Sequence, residues 1–205
     1  MPPVGMKKKM GVKVLEKKFA LAVAGFGIAV NLPAHAEILD NVRVGVLDHN
    51  VEVLTPKNSN KEPGVNVSAE LQFSKLNILG ETWSPHPYIM ASVNTEGATS
   101  YAAVGLEWDF EIFQGWHLQP GIGYTVHTGE LESQGSTPEE RADFESTHLL
   151  LGSRDLFRTS LAVTKDINEH WGVQLIYDHL SHGQMLGNGR NQGLDDVGLR
   201  VVYNF

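Results

Sequence analysis

The chain has 205 residues, a formal net charge of -8 and no cysteine. The absence of cysteine excludes a disulfide framework and thiolate metal sites, and the acidic balance argues against nucleic-acid binding. That length is enough for one domain.

The first segment reads as an export signal. Lys7, Lys8, Lys9, Lys13, Lys17 and Lys18 form a basic start, and Phe19 to Val30 is an apolar run of twelve residues. Such a run is too short to span a bilayer as a helix. Ala34-His35-Ala36 supplies a small-residue cleavage site. Residues 1–36 are therefore expected to be a signal peptide and residues 37–205 the mature domain. The leader carries a net +5, so the mature chain is near -13. After residue 36 no apolar run is long enough for a transmembrane helix, but an exported chain can still enter a membrane as a closed β-barrel.

The mature chain alternates apolar and polar residues in segments of about ten to fourteen. Asn41–Leu54 comes first, with Val42, Val44 and Val46 on one face. Gly64–Leu76 sets Val65, Val67, Ala69, Leu71 and Phe73 against Asn66, Ser68, Glu70, Gln72 and Ser74. A third segment runs from Pro87 to about Glu96. Ser100–Ile112 and Gly115–Thr128 follow, then a polar stretch, Glu130–Thr147, expected to be a long loop with a short helical piece at Pro138–Phe144. The sixth segment covers Leu150–Thr164 and ends at a turn near Asn168. Trp171–Ser181 and Leu194–Phe205 are the last two.

Eight such segments predict an all-β fold, an eight-stranded antiparallel transmembrane β-barrel after a cleaved signal peptide. The polar faces suit a filled interior. Trp108, Trp116 and Trp171 suit interfacial anchors, and His117 and His127 suit lumenal filling. The opposite arrangement is a soluble, lipocalin-like barrel with its apolar face inward. With both termini on the periplasmic side, the Glu130–Thr147 loop and the loop before the last strand lie outside the cell.

The last hairpin carries the chemistry. Its odd face is Trp171, Val173, Leu175, Tyr177, His179 and Ser181 on the first strand. On the second it is Asp195, Val197, Leu199, Val201, Tyr203 and Phe205. Side chains alternate along a strand, so His179, Ser181 and Asp195 meet at one end of an apolar face. A hydroxyl, an imidazole and a carboxylate are the parts of an activated-serine hydrolase. Polar groups on such a face are costly unless they are partnered. Asp178 and Asp196 have inward parity, Asp196 beside Arg200. His179, His182, Asp195 and Asp196 are also metal-ligand types, but the opposite parity of His179 and His182 argues against a shared ion.

His179-Leu180-Ser181, a Gly-containing loop, and Asn191-Gln192-Gly193-Leu194-Asp195 before a final strand resemble the outer-membrane lipid A 3-O-deacylases, the PagL-like enzymes. The terminal Tyr203-Asn204-Phe205 also resembles the aromatic end of outer-membrane barrels. Leu151–Arg158 looks family-like without evident chemistry. The resemblance implies a bacterial outer-membrane esterase that removes the 3-hydroxyacyl chain ester-linked at position 3 of lipid A. Lipopolysaccharide is then the substrate, and no metal or cofactor is needed. By position, Ser181 is the nucleophile, His179 the general base and Asp195 the orienting acid. Two positions depart from the family pattern. Asp195 stands where Glu is common, and His182 stands where Asn follows the serine. Gly183 offers a backbone N–H, so Gly183 and His182 are the candidate oxyanion region. The competing class is a non-enzymatic eight-stranded barrel, an adhesin or structural protein.

Overall fold

A computed structural model describes residues 38–55 and 61–205. The predicted signal peptide lies outside the described residues. Among the described residues there are nine strand segments: β1 (Leu39–Asp48), β2 (Val65–Phe73), β3 (His86–Asn94), β4 (Tyr101–Glu107), β5 (Phe110–Phe113), β6 (Trp116–His127), β7 (Asp155–Asp166), β8 (Trp171–Ser181) and β9 (Leu194–Asn204). Every pairing between them is antiparallel. β1 pairs with both β2 and β9, and β4 pairs with β6, so the sheet closes on itself. Both β4 and β5 lie along β6. They form one interrupted stave, and the barrel has eight.

The alternation in the sequence becomes the inside and the outside of this barrel. Val44, Val46, Val104, Ile122, Leu175 and Leu199 are among the exposed apolar residues on its outer face. Arg43, Glu70, Gln72, Glu107, Arg158, Gln174, Asp178 and Arg200 are buried in the lumen. This is the reverse of a lipocalin-like barrel. Buried charges are costly unless paired, and here they are paired. Arg43 Nη1 lies 2.8 Å from Glu70 and 2.7 Å from Glu107. Arg200 Nη1 is 2.9 Å from Glu70, and Arg158 Nη2 is 2.7 Å from Asp178. The Arg158 guanidinium also sits 4.9 Å over the Tyr88 ring. Gly105 and Gly123 make room for that ring, since a Cβ on either would fall within 2.5 Å of the Tyr88 hydroxyl.

Three boundaries differ most from the sequence expectation. β1 stops at Asp48, not Leu54, because Asn50 takes a positive φ of 56° and the chain turns across the barrel mouth. The fourth stave breaks at Trp108–Asp109, where Trp108 N–H donates to Pro120 O and its indole N–H donates to Trp83 O. β7 begins at Asp155, not Leu150. Leu149, Leu150 and Leu151 are fully buried. Leu149 and Leu151 pack with Tyr88, Met90, Leu156, Leu180 and Leu194 in one apolar cluster. An apolar run that reads as a strand start is thus part of the core beneath the loops.

The two ends are unlike. One carries the chain beyond β9, the β2–β3 connection with its one-turn helix Gly80–Trp83, and the short β7–β8 turn, where Asn168 Oδ1 accepts from the N–H groups of His170 and Trp171. Trp171, Tyr203 and Phe205 stack edge to face there, at 4.9 and 5.3 Å. Trp116 is also exposed, whereas Trp108 is half-buried. The other end carries the long β1–β2, β6–β7 and β8–β9 connections. The β6–β7 connection contains a helix, Pro138–Thr147, longer than the expected piece. Thr137 caps it reciprocally with Glu140, and Pro138 occupies its first turn, as the sequence Ser-Thr-Pro-Glu-Glu favours. Among the described residues no helix is long and apolar enough to cross a membrane.

Candidate active site

β8 and β9 pair with His179 directly opposite Asp195. Both side chains lie on the face that carries Leu175 and Leu199, at the end with the long loops. His179 Nδ1 is 2.6 Å from Asp195 Oδ1. With a carboxylate oxygen as acceptor, Nδ1 is the protonated nitrogen and Nε2 is left as the basic one. Ser181 follows two residues later on the same face, the last residue of β8. It is half-buried and lies opposite Phe157 of β7. The His179 side chain keeps 21% of its surface open, whereas Asp195 is fully buried. The imidazole therefore joins a covered acid to the outer surface, on the face that Ser181 shares.

The cover over Asp195 comes from the β1–β2 connection, a contribution the sequence does not announce. Asp195 Oδ2 accepts from Leu54 N–H at 2.6 Å, Thr55 N–H at 3.1 Å and the Thr55 hydroxyl at 3.1 Å. Oδ1 also accepts from the Tyr177 hydroxyl at 3.0 Å. Gly193, with φ 71°, packs against the same assembly. A Cβ there would stand 3.0 Å from Thr55 Cγ2 and 3.3 Å from His179 Cε1. Glycine thus serves both the backbone conformation and the seat of the imidazole.

The β1–β2 connection is itself held down by charge. His49 Nδ1 is 3.1 Å from Asp196, and its Nε2 is 3.3 Å from Glu62. Burial lowers the His49 pKa, but the hydrogen bonds and charges of Asp196 and Glu62 outweigh it and raise it to about 9. Burial pushes Glu62 up, and bonds from His49, Thr99 and Leu149 hold it below the usual range instead. The Glu62 carboxylate accepts from Thr99 N–H at 3.0 Å and Leu149 N–H at 2.9 Å. One residue thereby joins three connections at the barrel mouth.

The remaining predicted residues fall elsewhere. His182 is fully buried. Its Nδ1 accepts from Gln184 N–H at 3.1 Å and its Nε2 faces Arg190 O at 3.2 Å. Its own N–H donates to Asn191 Oδ1 at 3.3 Å. The His182 ring is committed to the β8–β9 connection, not to Ser181. Gly183 turns the chain at φ 59° immediately beyond. Asp196 points inward as its parity requires, but its partners are His49, Asn66 and Tyr101 rather than Arg200. Asp178 is lumenal with Arg158. His127 Nε2 meets Ser153 O at 2.7 Å inside the barrel. His117 is only half-buried and bridges Asp109 and Asp166 near the short-turn end.

No family model matches the sequence, and no curated protein matches it. Solved structures do. The crystal structure of the outer membrane enzyme PagL is 13% identical, covering 79% of this chain and 97% of its own, with a TM-score of 0.50. The N-terminal barrel domain of Pseudomonas aeruginosa OprF is 9% identical over 82% of this chain and 99% of its own, at 0.49. Ail of Yersinia pestis is 11% identical over 82% of this chain and 100% of its own, at 0.44. At 13% identity the likeness to PagL is one of fold: this chain is a closed eight-stranded antiparallel barrel of that kind.

Proposed function

We propose that this chain is an exported outer-membrane serine esterase that hydrolyses the 3-O-linked 3-hydroxyacyl chain of lipid A. The observation that carries the reading is the 2.6 Å contact between His179 Nδ1 and Asp195, with Ser181 two residues on along the same outward face. An imidazole ordered by a buried acid is more than the barrel needs for closure, since backbone pairing already joins β7, β8 and β9. The apolar belt suits a bilayer, and a rim with this polar group would meet the ester bonds of lipopolysaccharide. The H-x-S and Asn-Gln-Gly-Leu-Asp motifs point to the same chemistry.

In the reaction His179 Nε2 takes the Ser181 proton as Oγ attacks the acyl carbonyl. The His182 N–H is given to Asn191 Oδ1, so the Gly183 N–H is the backbone donor assigned to the oxyanion. His179 then protonates the departing sugar hydroxyl, and Asp195 stabilises the imidazolium meanwhile. Water next releases the 3-hydroxy fatty acid from Ser181. His182 takes no part.

The mass spectrum of lipid A from cells expressing the chain tests this. The wild type removes one 3-hydroxyacyl group and Ser181→Ala leaves lipid A intact, with both barrels folded in the outer membrane. Unchanged lipid A in the wild type favours the non-enzymatic barrel.

A further inference from the structure

Asp195 is held by more than its imidazole partner. Five contacts reach its two oxygens, from His179, Tyr177, Leu54 N–H, Thr55 N–H and the Thr55 hydroxyl. Closing the barrel does not require them. The β1–β9 ladder ends at Asp48 opposite Val197, so Leu54 and Thr55 reach Asp195 after their chain has left the sheet. A buried carboxylate needs compensation at about four lone-pair sites, and here it comes from the loop on one oxygen and from β8 on the other. Five contacts also fix the orientation. Oδ2 is turned to the loop, and Oδ1 is left between Tyr177 and His179.

The geometry points to Thr55 and Tyr177 as positioning residues for the triad, locking the Asp195 carboxylate so that His179 presents Nε2 toward Ser181. This rests on the serine-esterase reading of the same site. Neither residue touches the reacting atoms. Each acts through Asp195, Tyr177 from two residues before His179 on β8 and Thr55 from a connection that the H-x-S and Asn-Gln-Gly-Leu-Asp motifs do not include. Asp195 is one methylene shorter than the family's usual acid, and the loop comes down to meet it. A purely structural tie between loop and barrel would instead affect folding and leave turnover by the folded fraction unchanged.

The test uses the full mature barrel in detergent with purified lipopolysaccharide, scoring released 3-hydroxy fatty acid and the folded fraction by heat-modifiable gel mobility. Tyr177→Phe and Thr55→Val each lower kcat about ten-fold, the worth of a hydrogen bond to a charged group, with KM within about two-fold. The double variant falls further, since both act on one carboxylate. Thr55→Ser, which keeps the hydroxyl, restores turnover. Wild-type kcat in the folded single variants overturns the proposal, as does a loss that merely tracks the folded fraction. Failure of the underlying reading shows in different samples: a wild type that releases no fatty acid, or a Ser181→Ala barrel that still does.

Discussion

Asp195 shows how tightly a single residue is fitted here. Its carboxylate lies opposite His179 in the ladder and 2.6 Å from the Leu54 N–H, so a longer side chain has to displace one of these partners. Asp195→Asn keeps the shape but places an amide N–H₂ against donors, and it removes the acceptor that sets the His179 tautomer. The expected result is a fall in kcat of about 10³- to 10⁴-fold, as in serine hydrolases that lose this charge. Asp195→Glu adds a methylene inside the clamp and moves the carboxylate against Leu54 and Thr55. Although Glu is the acid the resemblance would supply, this variant is expected to lose activity about ten-fold rather than gain it, by the cost of overpacking a filled site. Lipopolysaccharide turnover by the two purified variants checks both. An Asp195→Glu barrel as active as the wild type would show that the loop follows the acid and does not fix it.

At the scale of elements, the β1–β2 connection decides whether the acid is covered. Its anchor is the His49 imidazolium between Asp196 and Glu62. The His49 pKa is raised from an ordinary 6.5 to about 9, so protonated His49 favours the folded arrangement. That contribution is complete below the ordinary value, and it is lost as pH rises through about 9. Limited proteolysis of the 49–64 connection is therefore expected to quicken between about pH 8 and pH 10 in the wild type. In His49→Gln it should already be fast, and flat over the same range. These contacts also mark where the sequence stops being readable. β8 and β9 are legible because Leu175, Leu199 and Val201 alternate with Gly172, Gln174 and Arg200, and a two-residue period needs no distant information. The pairing of His179 with Asp195 follows from that parity. Leu54 and Thr55 meet Asp195 across about 140 residues of chain, and no local pattern encodes such a meeting. Leu149–Leu151 mislead for the opposite reason, since an apolar run looks alike whether it starts a strand or fills the barrel mouth. His182 had the right parity to be excluded from the outward face, but only its loop partners reveal its structural task.

For the whole molecule, the distribution of polarity sets the surroundings the fold requires. The lumen is an ionic network centred on Glu70, which faces Arg43, Arg200 and, at 3.6 Å, Arg158. Such a lumen specifies closure more than it drives folding, because desolvation offsets much of the attraction between buried ions. The apolar surface lies outside, where Leu199, mid-strand in β9, is 57% exposed. In water that belt would be an aggregation surface. In a bilayer it is the face that hydrocarbon covers, and its tolerance to charge should depend on depth. Leu199→Arg is expected to lower the unfolding free energy in phospholipid vesicles by about 2–4 kcal/mol, the cost of a cation near the midplane, and Val65→Arg at the loop end of β2 by about 0–1 kcal/mol. Urea titration of the two variants in liposomes, read by gel mobility, measures the difference. A large gap between them supports a barrel spanning the membrane with its long loops at one interface. Equal, small costs would mean that hydrocarbon does not cover the belt, and the outer-membrane reading would fall with it.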